Sequence, residues 1–297
     1  MTIKGRANMP DHRWILWEPS KQNKPWRITL CALVVIIWIS TLAHAEPIII
    51  WQDSFTTKER QKLTSWISEV SANVETLVGP FPFEVRIQFF RRGHAREPVP
   101  WANTIRSRTP GVRFYVDPLY SLDSFRRDWT AAHEISHLIL PYLGSQNAWF
   151  AEGFASFMQY QVLHTMGVLS KQKMAQRYHR SIVRAEHDYA YPTQPFVAAA
   201  PRLRMEGKYS VMYWGGAVYF LQVDHWLVQT RGTTLIDVLK DYIDCCRRNG
   251  DDLDQLIIQL DQLVGFEVFA KQMARFQSER GFPEYQHLDM TVGLHLP

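Results

Sequence analysis

The spacing of apolar positions divides the chain into two unlike parts. From Thr56 to Leu77, the residues Leu63, Trp66, Ile67, Val70, Val74 and Leu77 recur at intervals of three and four, which predicts an amphipathic helix closed by Gly79-Pro80. Pro47 to Trp51 is a short apolar run of strand type. Phe83, Val85, Ile87 and Phe89 alternate with Glu84, Arg86 and Gln88, the period of a half-buried strand. A further strand is predicted over Val112–Val116, entered through Pro110-Gly111 and left at Asp117-Pro118. After Ser121 the period becomes helical and stays so, over about 124–140, 147–168, 171–188, 208–230, 233–247, 252–263 and 266–279. Pro192, Pro195 and Pro201 predict a long irregular connection between Tyr189 and Leu203. The fold class is therefore α+β. A small mixed α/β part (46–120), with Val112–Val116 as an edge strand, precedes a mostly helical lobe (121–297).

Composition adds little to this, and charge adds more. With 46% hydrophobic and 21% charged residues in 297, the chain is ordinary globular protein, which excludes wholesale disorder and a polytopic membrane protein. The formal net charge of +4 suggests an anionic partner until it is located. Residues 1–45 hold six basic side chains (Lys4, Arg6, Arg13, Lys21, Lys24, Arg27) and two acidic ones (Asp11, Glu18), so the excess lies entirely there and 46–297 is neutral. Without a basic surface or a nucleic-acid motif, no nucleic-acid partner is expected.

The basic stretch ending at Arg27, the apolar run Ile28–Leu42 and the small residues of Ala43-His44-Ala45 together read as an export signal. The run is shorter than the roughly 20 apolar residues of a membrane-spanning helix. Residues 1–45 are thus a signal peptide or, uncleaved, a signal anchor that would tether the protein through residues 28–42. A periplasmic or secreted location follows, or a membrane-anchored one with 46–297 outside the cytoplasm. Cys31 lies inside the run, and Cys245 and Cys246 are adjacent, so no disulfide is expected.

The informative chemistry lies at 133–152. In His133-Glu134-Ile135-Ser136-His137, histidines at i and i+4 lie one above the other on a helix face, a separation that suits two imidazoles converging on one Zn²⁺. Glu134, about 100° round the helix, stays out of the metal's coordination and can hold a water and remove its proton. A catalytic zinc needs a third protein ligand. Pro141 and Gly144 provide a turn, after which Glu152 would stand at a similar height on a facing helix, with Gly153 allowing close approach in a helical hairpin.

The string His133-Glu-Ile-Ser-His137, followed by Trp149-Phe-Ala-Glu152-Gly-Phe-Ala, resembles the gluzincin metallopeptidases, nearest the peptidase MA-like domains and the aminopeptidase N and glycyl aminopeptidase branches. The resemblance implies a zincin-like fold, one Zn²⁺ per chain bound by His133, His137 and Glu152, and Glu134 as general base. Tyr213-Trp214-Gly215-Gly216-Ala217 resembles the segment carrying the catalytic tyrosine of those aminopeptidases. That implies an oxyanion donor at Tyr213, with Tyr209, four residues earlier on the same face, as its rival. Two departures stand out. Only 14 residues separate His137 from Glu152, fewer than in the well-known gluzincins, and the Gly-x-Met-Glu-Asn segment that grips a free amino end is missing.

The expectation is an exported zinc-dependent peptidase acting on a peptide or protein substrate, endopeptidase and aminopeptidase being equally open. The alternatives are a metal-dependent hydrolase of a non-peptide substrate and a non-catalytic, peptide-binding zincin-fold protein. Arg91-Arg92-Gly93-His94-Ala95-Arg96 and the pair Arg106, Arg108 read as a solvated loop or as contacts to substrate carboxylates.

Overall fold

The computed structural model describes residues 46–107, 109–247 and 252–290; residues 1–45, on which the expectation of export rests, and Arg108 lie outside them. The N-terminal part is a four-stranded sheet with one long helix. Strands β1 (Ile48–Trp51), β2 (Arg86–Arg91), β3 (Trp101–Ile105) and β4 (Gly111–Val116) lie in the order β1-β2-β4-β3. The first three in that order are parallel, and β3 runs antiparallel to β4. Helix α1 (Thr57–Val78) makes the β1-to-β2 crossover. A capping box starts it: the Thr56 hydroxyl accepts from the Glu59 amide at 3.3 Å, and the Glu59 carboxylate accepts from the Thr56 amide at 2.7 Å. Gly79, at φ 87°, ends it in a backbone conformation that a side chain would strain. The predicted apolar stripe is the buried face. Trp66, fully buried, packs 4.9 Å from Phe125 and 5.5 Å from Phe114, centroid to centroid. Side chains of this kind stabilise the fold by about 1.5–3 kcal/mol each on burial.

The structure corrects the expected edge. Val112–Val116 is interior, because β3 pairs along one side of β4 and β2 along the other. Strand β3 went unpredicted: Trp-Ala-Asn-Thr-Ile has one exposed residue followed by four half-buried ones, and so no alternation to read. It is β3, not β4, that forms the rim of the sheet beside the helical lobe.

That lobe consists of α2 (Leu122–Arg127), α3 (Thr130–Ser136), α4 (Ala148–Thr165), α5 (Lys171–His187), α6 (Phe196–Met205), α7 (Tyr209–Arg231), α8 (Leu235–Cys245), α9 (Leu253–Val264) and α10 (Val268–Ser278). The expected helix 124–140 is broken at Asp128, whose backbone is extended (φ −74°, ψ 133°) and whose carboxylate accepts from the Thr130 amide at 2.8 Å. The side chain competes for the backbone, and the helix restarts at Thr130. The connection at 189–203 also contains an unexpected helix, α6, which buries Phe196, Ala199, Ala200 and Leu203 despite Pro201 within it. Cys245 and Cys246, expected to remain separate, form a disulfide. Neighbouring side chains on a continuous helix diverge by about 100°, but α8 stops at Cys245 and Cys246 leaves helical geometry at φ −134°. Among the described residues no helix is long and apolar enough to cross a membrane.

Two helices cross in backbone contact. A Cβ on Gly153 of α4 would overlap the backbone of Gly216 on α7, and one on Gly216 would overlap the carbonyl oxygen of Trp149. We expect Gly216→Ala to cost about 2 kcal/mol or more in urea unfolding, because backbone rather than a mobile side chain must yield. Gly93→Ala, where a Cβ meets nothing within 4 Å, serves as the near-neutral control.

Asp224 of α7 is 1% exposed; its Oδ1 accepts from the Leu235 amide at 2.7 Å, and its Oδ2 has no hydrogen-bond partner. Burial pushes its carboxyl up to about 7, with the Leu235 amide pulling the other way and Asp237 adding to the rise. The carboxyl therefore ionises in the unfolded chain near pH 4 and in the folded chain only near 7. Stability should fall across that window and stay low above it, by an amount on the order of a few kcal/mol. Asp224→Asn should be more stable than wild type at pH 8, with the difference shrinking at pH 5. A difference in urea midpoint that does not change with pH would contradict this assignment.

Candidate metal centre

Helix α3 is only two turns long, and its exit is unusual. After His137 the amides of Leu138 and Ile139 bond back three residues, to Ile135 and Ser136, tightening the last turn. The carbonyls left over are taken by arginines. Arg247 donates to the oxygens of Leu138 (3.2 Å) and Leu140 (3.0 Å), and Arg106 donates to that of His137 at 3.5 Å. The Arg247 guanidinium thus holds the C-terminal end of the motif helix, where cations are favoured by its dipole, and Arg106 adds a single long contact. His133 and His137 remain one turn apart on this short helix, with ring centroids separated by 4.9 Å and planes at 87°.

Glu152 reaches them from the first turns of α4. Its Oε2 lies 3.1 Å from His133 Nε2 and 3.4 Å from His137 Nε2, and one ligand atom from each of the three residues lies within 4.8 Å of the others. For a tetrahedral zinc with bonds of about 2.0–2.1 Å, neighbouring ligand atoms stand roughly 3.3 Å apart. The two measured edges bracket that value. Both histidines are buried, at 2% and 4% exposure, while Glu152 is half-buried.

The hydrogen-bond partners of His133 support the same fit. His133 Nδ1 faces Gln159 Oε1 at 3.0 Å, so the ring donates there and turns its Nε2 toward the Glu152 carboxylate. A buried ring flanked by two acceptors needs a cation on one side, either a proton or a metal. Gln159 lies seven residues beyond Glu152, on the same face of α4, with Ser156 between them. The sequence reading missed this residue, although its signal is visible as a polar stripe on an otherwise apolar helix.

Electrostatics couple the carboxylates to this pair. Burial would raise the Glu152 carboxyl, but the imidazoles of His137 and His133 outweigh it and hold the group well below the usual carboxylate range. Glu134 is half-buried, and desolvation pushes its carboxyl up against the opposing pull of His137 and His133. Tyr213 of α7 stacks on His133 at 5.8 Å between centroids, and burial, then Glu152 and Glu134, raise its hydroxyl further above its ordinary value. Tyr213 therefore keeps its proton and presents a donor next to the cluster. Its rival Tyr209 is 50% exposed, one turn away, at 6.4 Å from the Tyr213 ring.

The structure thus brings His133, Glu134, His137, Glu152 and Tyr213 into one site, and leaves Tyr209 at its margin. Gly153 does not serve the α3–α4 contact foreseen for it. It faces Gly216 on α7, three residues after Tyr213, so the close crossing carries Tyr213 rather than the histidines toward Glu152. Of the arginine-rich segments, Arg91 pairs with Glu59 at 2.5 Å and Arg92 lies over Tyr115, while Arg106 lies near enough to Glu134 and Glu152 to feel their charge.

No protein-family model matches the sequence, and no curated protein matches it. Among solved structures, the chain is similar to an M1 zinc metallopeptidase variant from Deinococcus radiodurans bound to a Tyr-Ser-Ala substrate. Identity is 14%, over 80% of this chain and 49% of that one, with a TM-score of 0.48. Another structure of the M1 zinc metallopeptidase from Deinococcus radiodurans is 13% identical, over 84% of this chain and 50% of that one, at a TM-score of 0.48. The chain spans about half the length of these structures. Within this chain, His133, His137 and Glu152 form a His-His-Glu group with the donor set and closeness to hold a metal ion.

Proposed function

We propose that the chain is an exported zinc-dependent peptidase, with the metal held by His133 Nε2, His137 Nε2 and Glu152 Oε2. The observation that carries this reading is the pair of donor separations, 3.1 and 3.4 Å, at the edge length of a zinc tetrahedron. The orientation of His133 by Gln159 adds to it. Export rests on the sequence of residues 1–45 alone, as does the alternative of anchorage through residues 28–42.

When bound, zinc would supply Lewis-acid polarisation of the scissile carbonyl and bring the pKa of a water to about 7. The chain's own residues account for the rest. Glu134, half-buried beside the two imidazoles, takes a proton from the water onto its carboxylate and returns it to the departing amide nitrogen. Tyr213, held protonated, donates its hydroxyl hydrogen to the oxygen that gains charge as the carbon becomes tetrahedral. Strand β3 offers an edge, unpaired among the described residues, along which an extended peptide can add by backbone hydrogen bonds.

Metal analysis of purified 46–297 tests the centre. We expect about one zinc per chain, retained by Glu134→Gln with peptide hydrolysis abolished, and bound about 10–100-fold more weakly by Gln159→Leu. Glu152→Ala should weaken binding further. Wild-type protein that stays metal-free in the presence of zinc would sink the reading. Mixed-peptide digests read by mass spectrometry separate a peptidase from a hydrolase of other substrates and from a binding protein.

The oxyanion assignment has its own test. Tyr213→Phe should lower kcat by roughly 100–1,000-fold with little change in KM and none in zinc content. Tyr209→Phe should stay within about twofold of wild type. The reverse pattern would transfer the role to Tyr209.

A further inference from the structure

Several of the described arginines are committed to a partner. Arg91 pairs with Glu59, Arg126 with Glu69, Arg127 with Asp123 and Arg275 with Glu279. Arg247 commits its guanidinium to the carbonyls of Leu138 and Leu140. Arg106 differs. It follows directly on β3, its guanidinium lies 5.5 Å from the centre of the Tyr142 ring, and its one hydrogen bond is the long contact to His137 O at 3.5 Å. Among the described residues no carboxylate stands within ion-pair distance of it, although both Glu134 and Glu152 are near enough to act on its charge. Most of its N–H donors have no hydrogen-bond partner among those residues.

The surroundings match this surplus. A cavity of about 180 Å³ opens beside Arg106, with Ile105, Ser107, Leu138, Tyr142 and Arg247 among its walls and no acidic side chain among the described residues lining it. A planar, partly desolvated guanidinium with free donors is matched by a carboxylate, which it can bind through two parallel hydrogen bonds.

Resting on the peptidase reading, we propose that Arg106 is a specificity residue that binds a carboxylate of the substrate, making this a peptidase for peptides with an anionic group close to the scissile bond. Two sources share that chemistry: the free C-terminus of a short peptide and an Asp or Glu side chain.

The test uses zinc-loaded 46–297 and two peptide pairs, one differing in a free or amidated C-terminus and the other in an internal Glu or Gln. Cleavage is measured alongside calorimetric binding to the Glu134→Gln protein. At least one carboxylate-bearing peptide should be favoured about tenfold or more, as expected for a charge-assisted hydrogen bond. The preference should appear in KM rather than kcat and recur as tighter binding. The favoured pair identifies the source. Arg106→Gln should abolish the preference with zinc content unchanged, and Arg106→Lys should restore part of it. The proposal is overturned if wild type cuts both members of each pair equally well, or if Arg106→Gln keeps the preference. It is likewise overturned if Arg106→Gln loses zinc and slows every peptide alike, the mark of a residue that merely caps α3. If zinc-loaded wild type neither cuts nor binds any of the peptides, the peptidase reading fails and this proposal with it.

Discussion

The crossing of α4 over α7 at Gly153 and Gly216 is the constraint from which the site follows. Helices packed through ordinary side chains stand 8–10 Å apart, a separation set by whatever lies between them. Here backbone meets backbone, and the separation has a floor that no rotamer can change. Glu152 immediately precedes one of these glycines, and Tyr213 lies one turn before the other. A short lever arm joins each functional side chain to the contact, so the angle of the crossing is passed to the carboxylate and the hydroxyl with little slack.

The motif helix is positioned differently. With only two turns it has few internal hydrogen bonds, and helices of that length are not stable on their own. It is held by its ends: the Asp128 carboxylate accepts from its first amide, and Arg247 occupies the carbonyls of Leu138 and Leu140 beyond its last turn. Its histidines are buried and its neighbours Ala131, Ala132 and Ile135 are packed in the core. The site is thus assembled from a clamped segment on one side and a rigid crossing on the other, with Gln159 bridging them through His133.

How much of this could be read beforehand depended on the kind of signal involved. Periodic burial was legible: α1, α4 and α7 lie within a few residues of the apolar stripes that predict them. Local chemistry was legible too, since histidines four apart on one helix meet wherever the helix goes. Pairing was less so. Whether β4 is an edge depends on β3, whose polar, half-buried residues give no period, and so the rim was assigned to the wrong strand. Proline concealed α6, because apolar spacing at Phe196, Ala199, Ala200 and Leu203 was outweighed by three helix breakers around it. The role of Gly153 was half legible: its smallness signalled a close approach, but nothing local says which helix approaches. Arg247, remote in sequence from Leu138 and Leu140, gave no signal at all.

The true rim strand has one more property. An open strand edge is a template on which a second sheet can grow, the first step of amyloid-like association. Strand β3 is five residues long, is preceded by Pro98 and Pro100, and is followed at once by the cation of Arg106. Proline offers no amide to a growing ladder, and a guanidinium beyond the last residue repels its own copy. An edge of these proportions can lend a few backbone hydrogen bonds to a transient visitor, yet it is too short and too well bounded to seed a fibril. Among the described residues β3 thus leaves one side of the sheet open without the usual hazard of an open edge.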